Sequence, residues 1–249
     1  STLFPYTTLF RSASVSDFAQ RIANIPTGST FNLSGNCSYG NMLAQLLNAG
    51  LDVNTASVTN MKGLFNNSNV PTTIDLSKFN TQNVTDMSSM FNSCSNLTSL
   101  DLSNFNTANV GTMSSMFGSC SKLTVLDLST FNTANVTNMS YMFNSCMKLA
   151  SLDVSNFDTE DVTTFAYMFY YCTALTSLDL SSFDTSIAYV SSMDRMFGGC
   201  SALAEITFGP NWKTTPYSPV YTDQTTGTWT NTVTGVTYTG LQNLLAAGT

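Results

Sequence analysis

The sequence predicts an α/β solenoid, with a parallel sheet on one side, short helices on the other and a cap at each end. Two observations carry this. The first is a period of 26 residues: Asp75, Asp101, Asp127, Asp153 and Asp179 keep it without a slip, as do Phe79, Phe105, Phe131, Phe157 and Phe183, and Phe65, Phe91, Phe117, Phe143 and Phe169. A fixed period of that length marks a stacked array of supersecondary units. The second is a change of pattern inside each unit. Apolar residues alternate in its first half and fall at steps of three and four in its second.

In the unit Asn96 to Cys120, Leu100 and Leu102 share one face and Asp101 and Ser103 the other, which predicts a short strand with one buried side. Val110, Met113, Met116, Phe117 and Cys120 predict one apolar face of a short helix. Asn106 and Thr107 stand where side-chain oxygens would cap that helix, and in later copies the Asn becomes Asp158 and Asp184. One strand and one helix cannot bury their own apolar faces, whereas stacked copies merge them into a continuous core. The L-x-x-L-x-L strand pattern at this period falls in the leucine-rich-repeat range.

The full consensus, L-x-x-L-D-L-S-x-F-[ND]-T-x-x-V-x-x-M-x-x-M-F-x-x-C-x-x-L, resembles the repeat of BspA-family leucine-rich-repeat surface proteins of bacteria. The match runs from about Val58 to Phe208. The resemblance implies a secreted or wall-attached protein, several members of the family being adhesins for host matrix proteins.

The ends divide the chain into a leading segment 1–12, an N-terminal cap 13–57, repeats 58–208 and a C-terminal cap 209–249. Thr2 to Ser12, TLFPYTTLFRS, resembles a translated sequencing adapter and is set aside from the fold. In the cap, Ser16 to Ile22 predicts a short helix, Phe31 to Leu33 a strand, and Asn41 to Asn48 a second helix closed by Gly50. Val58, Met61 and Phe65 open the first copy, with Ser68 in the cysteine column and Pro71 in the leucine column. A two-residue insertion falls in Thr185 to Tyr189. Beyond Gly209-Pro210, Thr228-Trp229-Thr230 and Val236-Thr237-Tyr238 predict a hairpin over the exposed solenoid end, and Leu241 to Ala247 a final helix.

Composition narrows the function. Only 9% of residues are charged and the net charge is −7, which argues against nucleic acid and anionic membranes as partners. No apolar run reaches the length of a transmembrane helix. There is no His in the chain, no C-x-x-C, no P-loop and no dinucleotide fingerprint, so neither metal, cofactor nor catalytic group is expected.

Several columns invite chemistry, and each has a structural reading beside it. Cys94, Cys120, Cys146, Cys172 and Cys200 end apolar faces and are expected as buried thiols; stacking at strand spacing leaves disulfides sterically open. The aspartates Asp75 to Asp179 either accept hydrogen bonds from Ser77, Ser103, Ser129, Ser155 and Ser181, or bind a cation or basic ligand. Phe79 to Phe183 are expected to form an aromatic ladder. The column Thr81 to Thr185 is read as helix caps rather than as an ice-binding face. Breaks in the repetition are the insertion, the Tyr167, Tyr170, Tyr171 cluster and Trp212 to Tyr238; Tyr167 and Tyr170 are expected at the surface, where tyrosine suits recognition.

These observations and the resemblance together yield an extracellular recognition or adhesion module of a bacterial surface. Its candidate ligand-binding residues are Asp75, Asp101, Asp127, Asp153, Asp179, Ser103, Ser129, Ser155, Tyr167 and Tyr170, its partner a protein or a glycan. The alternative is a passive spacer that displays another domain.

Overall fold

The computed structural model describes residues 37–187, 193–213, 228–230 and 237–239. They form a solenoid of stacked turns. Helix α1, Cys37–Asn48, precedes the stack and lays Leu43, Ala44 and Leu47 on its first turn. It begins four residues before the predicted start, and it stops where predicted. Gly50 takes φ 88°, and the Gly50 and Leu51 amides donate to the Leu47 and Leu46 carbonyls, both at 2.9 Å. That pair of bonds satisfies carbonyls the helix would otherwise leave open.

The strand half of the unit is present but brief. Strands β1 (Ser99–Leu100) and β2 (Val125–Leu126) pair in parallel, as do β3 (Ser177–Leu180) and β4 (Glu205–Phe208). Elsewhere the ladder continues as single bonds, such as Thr98 N–H to Thr72 O at 2.9 Å before the first pair and Thr176 N–H to Ala150 O at 3.3 Å between the two. A second parallel row links Asn60, Asp86, Thr112, Asn138 and Thr164 on the other side of the turn. At the C-terminal end β5 (Thr228–Thr230) and β6 (Thr237–Thr239) pair antiparallel, which is the predicted hairpin.

The expected helices of the repeats are absent among the described residues. Their place is taken by consecutive turns. Met87, Ser89, Phe91 and Ser93 send their amides to Thr112, Ser114, Met116 and Gly118 of the next copy at 2.6–3.2 Å. The alternate amides of Met90, Asn92 and Cys94 close local turns on Met87, Ser89 and Phe91. An α-helix would send every amide four residues back within its own segment. Here each copy shares its backbone bonds with its neighbour, so the segment is stable only in the stack. The apolar positions are nevertheless buried as expected: Val110, Met113, Met116, Phe117 and Cys120 are all inside. A helix and this run of turns place the same side chains inward, and spacing alone does not separate them.

The core runs the length of the stack. Its spine is Phe65, Phe91, Phe117, Phe143, Phe169 and Phe197, whose rings stack successively 5.5–5.9 Å apart and within 2–8° of parallel. The stacked ladder is thus this column and not the expected Phe79 to Phe183. The latter is buried too, with Phe183 tilted against Phe165 at 5.6 Å. Trp212 closes the far end against Phe208 at 4.5 Å and Phe197 at 6.4 Å. The segment 1–12, the elements expected at 16–22 and 31–33, residues 188–192 of the inserted turn and the final helix lie outside the described residues.

Candidate recognition surfaces

The threonine column locks one turn to the next. Thr81 Oγ1 accepts from the Asn106 amide at 2.8 Å and donates to the Asn106 carbonyl at 3.0 Å, and Thr107, Thr133 and Thr159 repeat the pair of bonds. These hydroxyls are buried, so they are clamps between copies rather than helix caps or an outward face. With no helix to cap, Asn106, Asn132 and Asp158 close the local turn, their Oδ1 accepting an amide two residues on. That is the Asx turn these residue types favour.

The cysteines are buried thiols. Each donates to a phenylalanine carbonyl of the preceding turn, Cys94 to Phe65 at 3.0 Å and Cys120 to Phe91 at 3.1 Å, through to Cys200 on Phe169. Burial pushes the Cys120 and Cys200 thiols up to about 12, and the other three upward as well. Thiols so held are poor nucleophiles and poor metal ligands. Among the described residues no group of three His, Cys, Asp or Glu could hold a metal ion.

The aspartate row stands on the strand side, exposed at Asp75, Asp101, Asp127, Asp153 and Asp179. In every copy Oδ1 accepts the amide of the serine two residues on, at 2.9–3.0 Å: Ser77, Ser103, Ser129, Ser155 and Ser181. At Asp75, Asp101 and Asp153 the serine hydroxyl and then its amide lower the carboxyl below its ordinary value; at Asp127 the amide leads. The neighbouring aspartates push Asp101 and Asp127 the other way, and the hydrogen bonds outweigh them. Stacked like charges are therefore tolerated because each carboxylate closes its own turn in well-screened water.

The tyrosines occupy the opposite, turn-rich segment. Tyr141, Tyr167 and Tyr171 all sit at φ 58–59°. That left-handed conformation is costly for a residue with a bulky side chain. The Tyr141 and Tyr167 rings stack at 4.6 Å, 4° from parallel; Tyr170 meets Tyr167 edge-on at 5.1 Å and Tyr171 at 4.6 Å. Arg195 lies 6.0 Å from the Tyr167 ring centre, and partial burial, then the hydrogen bond and charge of Asp194, raise the Tyr167 phenol. Tyr167 and Tyr170 are half-buried; the outer members are Tyr141 and Tyr171, 40% and 39% exposed. Sequence reasoning missed Tyr141 and Arg195, although both fall in the Tyr167 column, one copy before it and one after.

A family model described as "Mycoplasma protein of unknown function, DUF285" matches residues 36–125 and again 113–221. The chain belongs to this family. Two overlapping matches of one DUF285 model along the stack accord with its tandem turns. No curated relative matches the chain. Three solved structures resemble parts of it. A leucine-rich-repeat protein of T. pallidum is 19% identical over 48% of this chain and 60% of its own, with a TM-score of 0.29. A leucine-rich cell surface protein of Faecalibacterium prausnitzii is 22% identical over 51% and 37%, TM-score 0.30. A leucine-rich-repeat protein of Eubacterium ventriosum is 18% identical over 61% and 53%, TM-score 0.29. The chain thus spans less than two thirds of each of these neighbours.

Proposed function

We propose that this DUF285 member is a non-enzymatic recognition module displayed at a bacterial surface, holding a protein or glycan of a host or of the surroundings. The observation that carries the reading is the strand-side row of exposed Asp and Ser in strict register. The clamps and core are provided by other columns; each aspartate closes its own turn on the serine amide and still presents its carboxylate at the surface, so the row gives a ligand a regular series of acceptors. Extended solenoid surfaces serve such roles because they offer many weak contacts along one line. The exposed tyrosines supply a second surface of the kind favoured in recognition.

The test is a binding screen of the chain against matrix proteins and glycans, repeated with Asp127→Ala combined with Asp153→Ala. A loss of binding by a variant that still unfolds in one cooperative transition supports the strand face. Binding and folding both unchanged would refute that face. Failure of every probe in the screen would favour the spacer, in which the stack serves only to hold another domain away from the cell.

A further inference from the structure

The tyrosine stack ends abruptly. Successive turns lie in order along the axis, so the face of the Tyr141 ring away from Tyr167 looks toward the turn that holds Ser115. Ser115 has the same left-handed backbone, φ 55° against 59°, but its hydroxymethyl group cannot cover a phenol ring. Gly118 in the same turn is small as well, and the Asn92 side chain leans over it: a Cβ there would come within 2.6 Å of Asn92 Oδ1. The result is a step: an exposed aromatic face on one side, small residues beneath, and Asn92, Asn144, Ser115 and Ser119 in register around it.

We infer that this step binds one ring of a neutral sugar, a hexose or N-acetylhexosamine within a longer glycan, stacked on Tyr141 above Ser115. The proposal rests on the recognition reading and names the ligand class of a different surface from the aspartate row. Three features of the step point to that class. A pyranose has an apolar face of C–H groups that matches an aromatic face, and hydroxyls at its edge that match amides and hydroxyls. The residues named around the step are uncharged, which suits a neutral ligand and gives no ion-pair partner to an acidic or basic one. An aromatic side chain from a protein would satisfy the ring but leave the Ser115 and Ser119 hydroxyls desolvated, along with the amide positions still open once Asn92 Nδ2 donates to Asn66 Oδ1 at 2.9 Å and Asn144 Oδ1 accepts from Ser145 Oγ at 3.1 Å. The stack is also pre-organised: Tyr170, Asp194 and Arg195 hold Tyr167, and Tyr167 holds Tyr141, so little side-chain freedom is left to lose on binding.

The experiment is a glycan array of neutral hexose and N-acetylhexosamine oligosaccharides probed with the full chain, with tyrosine- and tryptophan-containing peptides printed beside them. Tyr141→Ser removes the platform while installing the residue already found at 89 and 115. Ser115→Tyr fills the step by extending the stack. Both should bind at least roughly tenfold more weakly than the parent, with unchanged melting temperatures, whereas Tyr141→Phe should bind as the parent does. No binding to neutral glycans, equal binding by Tyr141→Ser and Ser115→Tyr, or binding to the aromatic peptides alone would overturn the inference. If the aspartate pair alone abolishes binding, the inference falls while the recognition reading stands.

Discussion

Ten non-glycine residues among those described hold left-handed backbone, and they fall in two columns of the turn segment. One runs Ser89, Ser115, Tyr141, Tyr167, Arg195 and the other Asn67, Ser93, Ser119, Ser145, Tyr171, with Gly63 and Gly199 at the ends. Such positions cost a residue with a Cβ about 1–2 kcal/mol, and Gly199 shows what happens when one is spared. At φ 73° a Cβ there would lie 3.0 Å from the Tyr171 ring. Gly199→Ala should therefore lose roughly 1–2 kcal/mol in urea unfolding, and the tyrosine cluster should rearrange. At Thr107 the loss has a different origin. Thr107→Val keeps the shape but leaves the Asn132 amide and carbonyl without their partner, a cost of about 1–3 kcal/mol by the same measurement. The carboxylates give a pH signature. Asp75, Asp101, Asp127 and Asp153 have folded pKa values below the ordinary 3.8, so their contribution is complete above that value and is lost as pH falls through the folded ones. Melting temperatures should stay level down to about pH 5 and drop below pH 4, and Asp101→Asn with Asp127→Asn should flatten the drop.

The element scale is where sequence and structure part. The buried set was legible: Leu100, Leu102, Phe105, Val110, Met113, Met116, Phe117 and Cys120 are all inside, as their recurrence implies. The conformation joining them was not. Spacing at three and four is common to a helix and to consecutive turns, but the intervening residues Gly111, Thr112, Ser114, Ser115, Gly118 and Ser119 are weak helix formers and strong turn formers. That local signal was present and outweighed by the periodicity. The aromatic ladder was expected on the other column, because both phenylalanine columns recur at the same period and recurrence does not say which rings lie face to face. Since Phe117 lies between Phe91 and Phe143 at 5.8 and 5.9 Å, Phe117→Ala should cost about 3–5 kcal/mol in chemical denaturation. The loss should be local to neighbouring turns, visible as hydrogen exchange faster there than at α1.

At the scale of the whole molecule, the period made the stack and its axis legible, and the pairing of the C-terminal strands was legible from their Thr-aromatic-Thr pattern. The candidate site was legible only in part. The aspartate row announces itself by repetition, whereas the change from Ser115 to Tyr141 stands in the aligned repeats but reads as ordinary variation until the Tyr141 and Tyr167 rings are seen to stack. The left-handed backbone at Tyr141 has no signature along the chain. A stack whose copies exchange backbone bonds should also behave as one cooperative unit built from nearly equal parts. Excising residues 96–121 would rejoin the columns in register, and the shortened chain should still unfold in a single transition, with a smaller denaturant slope. The measurement that bears most directly on this architecture is the far-ultraviolet circular dichroism of the folded chain. The turn ladder predicts a spectrum with little helical signal beyond what α1 supplies. Paired minima near about 208 and 222 nm, strong enough to require a helix in every 26-residue unit, would contradict it.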